Sequence, residues 1–120
     1  MPDAIRTRED FVKLVNGYDG AIAYWDHHFG RLVNTLADLG VLDDTAIIVT
    51  SDHGECLGEN GCYGDHPMAN EASHHVPMVL RWPGVTAELA EEQRHVGGLV
   101  HSIDLCPTIC DLVGIPVPPG

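Results

Sequence analysis

The run Thr45-Ala-Ile-Ile-Val-Thr50 is apolar and β-branched over a full strand length, with no alternation that would give it a wet face. A strand apolar on both faces belongs at the centre of a covered sheet, usually a parallel one. The rest of the chain must then provide both neighbouring strands and covering layers. Asp43 and Asp44 form the turn into this strand, and Val76-Pro-Met-Val-Leu-Arg-Trp82, closed by Pro83-Gly84, reads as a second strand.

Helices flank these strands. From Arg8 to Leu39 the apolar positions Phe11, Leu14, Val15, Tyr18, Ile22, Trp25, Phe29, Leu32, Val33, Leu36 and Leu39 recur in steps of three and four, one stripe along a helix that Gly40 stops. Gly17, Gly20 and Gly30 each weaken it by about 1 kcal/mol relative to alanine, so the helix depends on packing. Ser102 to Val113 reads as a short helix with Asp104 at its N-cap and Pro107 in the first turn. Helix, buried strand, long loop, strand and helix make an α/β order. Two strands cannot form a doubly covered sheet, so further strands of that sheet are expected outside what these motifs supply.

Composition narrows the partners. The 120 residues carry 18 Asp+Glu against 6 Lys+Arg, a formal net charge of −12, while 44% hydrophobic and 20% charged residues are the mix of a globular domain. With Lys13 the single lysine, no phosphate-tracking stripe can be built, which argues against nucleic acid and against an anionic membrane. Divalent cations are the more natural partner. No apolar run approaches the roughly 20 residues of a bilayer span, and Met1 to Asp10 holds no signal-peptide core. The compartment, cytoplasmic or periplasmic, stays open. Cys56/Cys62 and Cys106/Cys110 match neither a zinc ribbon nor a thioredoxin-type pair, and the second pair, one helical turn apart, reads as half-buried packing thiols.

The chemistry gathers after the first strand. Thr50-Ser-Asp-His-Gly-Glu55 sets a carboxylate and an imidazole side by side at the carboxyl end of a buried strand, the edge where open α/β sheets bind ligands. Neighbours on a strand point to opposite faces, so Asp52 and His53 share a ligand only where the chain turns, which Gly54 permits. That pair suits Ca²⁺, Mn²⁺ or Zn²⁺, with at least two further donors needed. Glu55 reads as loop support. In the loop that follows, His66 of Tyr63-Gly-Asp-His66 is a candidate oxyanion donor or proton carrier, whereas His74 and His75 read as solvated. His27, His28, His95 and His101 carry no functional assignment.

The segments Asn16 to Asp26, Gly30-Arg31-Leu32, Leu36 to Gly40, Asp44 to Glu55, Tyr63-Gly-Asp-His66, Val76 to Gly84 and Asp104-Leu-Cys-Pro-Thr108 occur in an order that resembles the sulfatases of the alkaline phosphatase superfamily. The resemblance covers roughly residues 10–118. It implies an α/β fold in which this chain is a portion of an alkaline-phosphatase-like sandwich with a mostly parallel central sheet covered by helices. It also implies one divalent cation, Ca²⁺ first and Mn²⁺ second, held by Asp52 and His53 with an Asp pair from elsewhere. His66 stands where many members have a sulfate-contacting lysine, which makes it the catalytic candidate.

The resemblance further implies a formylglycine nucleophile made from a Cys/Ser-x-Pro-x-Arg motif, and no cysteine or serine here begins one. Residues 1–120 are therefore expected to be a partial sulfatase catalytic domain without the nucleophile-bearing N-terminal part and without turnover of its own. The substrate class implied is a small sulfate ester or a sulfated glycan. A phosphodiesterase or phosphonate monoester hydrolase of the same superfamily, and a non-catalytic chain that binds metal weakly, are the alternatives. Apolar faces left uncovered are expected to favour self-association.

Overall fold

A computed structural model describes residues 5–119. It divides into two compact units, residues 1–88 and 89–120, which are described separately.

The first unit opens with helix α1, Arg8–Asp38. Its start is a capping box. Thr7 Oγ1 accepts the Asp10 N–H at 3.1 Å, and Asp10 Oδ2 accepts the Thr7 N–H at 2.9 Å and the Thr7 hydroxyl at 2.8 Å. The helix ends where expected: the Gly40 N–H reaches Ala37 O and the Val41 N–H reaches Leu36 O, satisfying two last-turn carbonyls. None of its residues is fully buried. Phe11, Leu14, Val15, Phe29, Val33 and Leu36 are half-buried, whereas Ile22 and Trp25 in the middle of the same stripe are exposed. Packing therefore touches the helix at its two ends. Near its start Phe11 meets Tyr63 edge to face at 6.1 Å, and near its end Phe29 and Val33 line an apolar cavity of about 230 Å³ together with Leu42, Ile47, Val49, Val79 and Arg81.

A single 3₁₀ turn, Leu42–Asp44, leads into strand β1, Ile47–Thr50. Two short strands follow, β2 (Cys56–Leu57) and β3 (Tyr63–Asp65), then a one-turn helix α2 (Glu71–His74) and strand β4, Met78–Arg81. β1 pairs antiparallel with β4, Ile47 opposite Arg81 and Thr50 opposite Met78. Arg81 ties that pairing to the preceding turn: its guanidinium donates to Leu42 O at 2.7 Å, to Thr45 O at 2.9 Å and to Asp43 Oδ1 at 3.1 Å. Among the described residues β1 has β4 as its one ladder partner, and the pairing is antiparallel rather than parallel. No residue of β1 is fully buried either. The chain is α/β in its elements, but the described residues include no third strand beside β1 and no second covering layer, so its apolar faces stay half-wet.

The loop between the two long strands is more ordered than its composition implied. β2 and β3 form an antiparallel hairpin with a bulge between Cys56 and Leu57. Its tip, Asn60-Gly61, has positive φ at both residues (55° and 74°), the combination an Asn-Gly hairpin turn needs. Among the described residues of this unit the buried side chains lie here: Cys56, Cys62 and Ser73.

In the second unit a 3₁₀ turn, Ser102–Asp104, runs into helix α3, Leu105–Val113, which Gly114 closes. Asp104 stands at the N-cap of α3, yet its carboxylate does not cap that helix. It accepts the His101 N–H at 3.2 Å while His101 Nδ1 accepts the Ile103 N–H at 3.2 Å, because the 3₁₀ turn moves the start of the coil back to His101. The two thiols of α3 also differ from the half-buried pair expected. Cys110 is buried and Cys106 exposed.

Candidate metal-binding site after the first strand

β1 delivers Ser51 and Asp52 to its carboxyl end, where local hydrogen bonds turn the chain. Ser51 Oγ donates to His53 O at 2.6 Å, and Asp52 Oδ1 accepts the His53 backbone N–H at 3.0 Å. That N–H holds the Asp52 carboxyl below its ordinary pKa, so the group is anionic at neutral pH. His53 Nδ1 lies 2.8 Å from Gly54 O. A carbonyl can only accept, so Nδ1 carries a proton, and in the neutral ring Nε2 is the nitrogen with the lone pair. Nε2 is 3.8 Å from Asp52 Oδ1, a separation that one cation can bridge at ordinary N and O ligand distances. The expected juxtaposition of Asp52 and His53 is thus present.

Gly54 serves that turn by close approach and not by a left-handed φ. A Cβ built on it would stand 1.9 Å from Ala72 O, and its N–H donates to Ser73 O at 2.8 Å. Helix α2 is therefore laid directly against the turn. Asn70 caps α2 through the Ser73 N–H at 2.9 Å. The same Asn70 amide donates to Cys56 Sγ at 3.4 Å, with Ser73 Oγ 3.5 Å away. These bonds, Asn70 foremost, draw the Cys56 thiol down in pKa, while burial pushes Cys62 up.

The hairpin returns His66 to the same place. The His53 and His66 rings stack with centroids 3.6 Å apart, and His66 Nδ1 is 3.7 Å from Glu55 Oε2. That is beyond hydrogen-bond range. Glu55 Oε1 is buried with no hydrogen-bond partner. One ligand atom from each of His53, Glu55 and His66 lies within 4.8 Å of the others. An orphaned carboxylate oxygen beside two imidazoles is a donor set that a divalent cation fits, and its two nitrogens suit Mn²⁺ or Zn²⁺ at least as well as Ca²⁺. Glu55, read from sequence as loop support, thus faces the two histidines. Its position depends on the hairpin, which the Asn60-Gly61 turn signal could have revealed. His74 and His75 are exposed, and His75 is held by Glu71 at 2.7 Å. His27 and His28 are exposed on α1, with His28 against Tyr24.

A profile of the sulfatase family matches residues 2–115. Among curated relatives the chain is 38% identical over 112 residues to arylsulfatase K of Bos taurus, covering 93% of this chain and 20% of that protein. It is 33% identical over 127 residues to iduronate 2-sulfatase of Homo sapiens, with 89% and 23% covered. Against choline-sulfatase of Rhizobium meliloti it is 35% identical over 109 residues, with 91% and 20% covered. The chain thus spans about a fifth of the length of these relatives.

Proposed function

The chain belongs to the sulfatase family, and we propose that it forms the part of a sulfuric ester hydrolase that carries half of the cation site and one sulfate-facing imidazole. In this reading β1 lies in a mostly parallel central sheet whose other strands come from residues outside this sequence, as do the formylglycine nucleophile and the remaining ligands. The observation that carries it is the convergence of Asp52, His53, Glu55 and His66 at the carboxyl end of β1. No helix among the described residues is long and apolar enough to cross a membrane.

Asp52 and His53 are the ligands, with the orphaned Glu55 carboxylate available as a third. A bound divalent cation would neutralise charge on the sulfuryl oxygens as the ester breaks. Asp52 brings an anionic charge to the centre, and the Gly54 carbonyl keeps His53 Nε2 free to ligate. His66, stacked on His53, is aimed at the sulfate or at the leaving oxygen, where a ring N–H can donate. Ca²⁺ is the family's usual ion and Mn²⁺ the second candidate. A small sulfate ester or a sulfated glycan is the substrate class. Without the nucleophile the 120 residues turn over neither.

A titration with Mn²⁺, followed by paramagnetic broadening of imidazole ring signals, tests the site even where binding is weak. His53 should broaden ahead of the histidines outside the site, and Asp52→Ala should remove that preference. Equal broadening of His53, His27 and His95 would sink the assignment.

A further inference from the structure

We propose that Cys56 and Cys62 are a dithiol that closes to an intramolecular disulfide under mild peroxide oxidation, clamping the hairpin that brings Glu55 and His66 together. The geometry comes from the ladder. Leu57 lies opposite Tyr63, and the Gly58 N–H donates to Cys62 O at 2.8 Å. Cys56 lies opposite Asp65 in that ladder, and the Cys62 thiol donates to Asp65 O at 3.5 Å, so both cysteines meet at the Asp65 backbone. The bulge between Cys56 and Leu57 tightens the local twist. Both cysteines point inward, with relative exposures of 0% and 8%. Neither is engaged by the cation reading, and the proposal does not rest on it.

Cys62, the thiol with residual exposure, meets the oxidant. Its sulfur attacks one peroxide oxygen; the S–O bond forms, the O–O bond breaks, and the first water leaves with a sulfenic acid behind. The Cys56 sulfur, held in place by Asn70 and Ser73, then attacks Cys62. The S–S bond forms, the S–O bond breaks and the second water leaves. The two thiols give up two electrons, which reduce the peroxide, and their protons end in the waters. A dithiol reductant reverses the bond. The clamp reaches the candidate site because Glu55 immediately precedes Cys56, and Asp65, the partner of Cys56 in the ladder, immediately precedes His66.

The sequence provides a direct test. No Lys or Arg lies between Cys56 and Cys62, but Glu59 does. The folded chain is treated with hydrogen peroxide, its remaining thiols are alkylated, and the denatured product is cut with a glutamate-specific protease. Residues 56–59 should stay joined to residues 60–71 until a dithiol is added, and Cys62→Ser should abolish the joined species. In the oxidised chain, amide exchange across residues 57–65 should slow. The proposal is overturned if both cysteines of the oxidised wild-type chain are alkylated singly, if Cys62 accumulates as sulfinic acid, if the link joins different chains, or if exchange in the hairpin is unchanged. The wild-type mapping stands without any variant having to fold.

Discussion

His53 and His66 stack ring on ring, with centroids 3.6 Å apart and planes 21° from parallel, although they leave different elements, one following β1 and the other following β3. Each has a backbone anchor to an acidic neighbour: the His53 N–H bonds to Asp52 and the His66 N–H to Asp65. Only one of the two imidazoles has its tautomer set by a backbone carbonyl. The Gly54 carbonyl fixes the proton of His53 on Nδ1, whereas His66 stands at a loose 3.7 Å from Glu55.

That asymmetry separates the roles of the two rings. Losing even an outer partner of a metal ligand commonly costs about 10–100-fold in affinity, so a direct ligand should cost at least that. His53→Ala should weaken Mn²⁺ binding by more than about tenfold, and His66→Ala by less than about tenfold. Calorimetry, or Mn²⁺ relaxation where binding is too weak for heat, makes the comparison. A loss on His66→Ala as large as that on His53→Ala would move His66 into the ligand set and away from the sulfate.

Gly54 supports the same turn by contact. Its missing Cβ leaves room for Ala72 O, which a methyl group would meet at 1.9 Å, and its N–H is committed to Ser73 O. Gly54→Ala must push α2 off the turn, an overpacking change that typically costs about 1–3 kcal/mol. Chemical denaturation should show a loss of that size, and amide exchange at Gly54 should rise with it. A variant as stable as the wild type would mean that α2 does not hold this position in solution.

How much of this was readable beforehand follows the range of each interaction. The extent of α1 and its stop at Gly40 are written in local periodicity and capping, so the residues themselves declare them. Asp52 and His53 are adjacent in sequence, and one turn suffices to place them together. Glu55 is different. Its place opposite His66 exists only once Asn60-Gly61 folds β3 back on β2, and strands of two and three residues carry too little pattern to announce themselves. The apolar run of β1 and the Val76–Trp82 run that holds β4 were both legible as strands, while their antiparallel pairing was not, because a hydrophobic pattern serves either direction equally. His101 illustrates the same limit: as a cap it depends on a 3₁₀ turn that extends the coil before α3.

The start of α1 provides a pH signature free of any cation. The hydrogen bond from the Thr7 side chain, with the Arg6 and Thr7 backbone N–H groups, holds the Asp10 carboxyl below its ordinary value. A carboxylate depressed in the folded state contributes stability above its unfolded pKa of about 3.9 and loses it as pH falls through the lower folded value. The capping contribution should therefore be complete at neutral pH and fade only at acid pH. Asp10→Asn should lower helicity at neutral pH and leave a flatter acid limb, and Thr7→Ala should do the same, since Ser/Thr/Asp/Asn caps replaced by alanine commonly cost about 1 kcal/mol. Circular dichroism across the acid range, read for wild type and both variants, checks it. An acid limb in Asp10→Asn as steep as in the wild type would show that the capping box does not govern the start of α1.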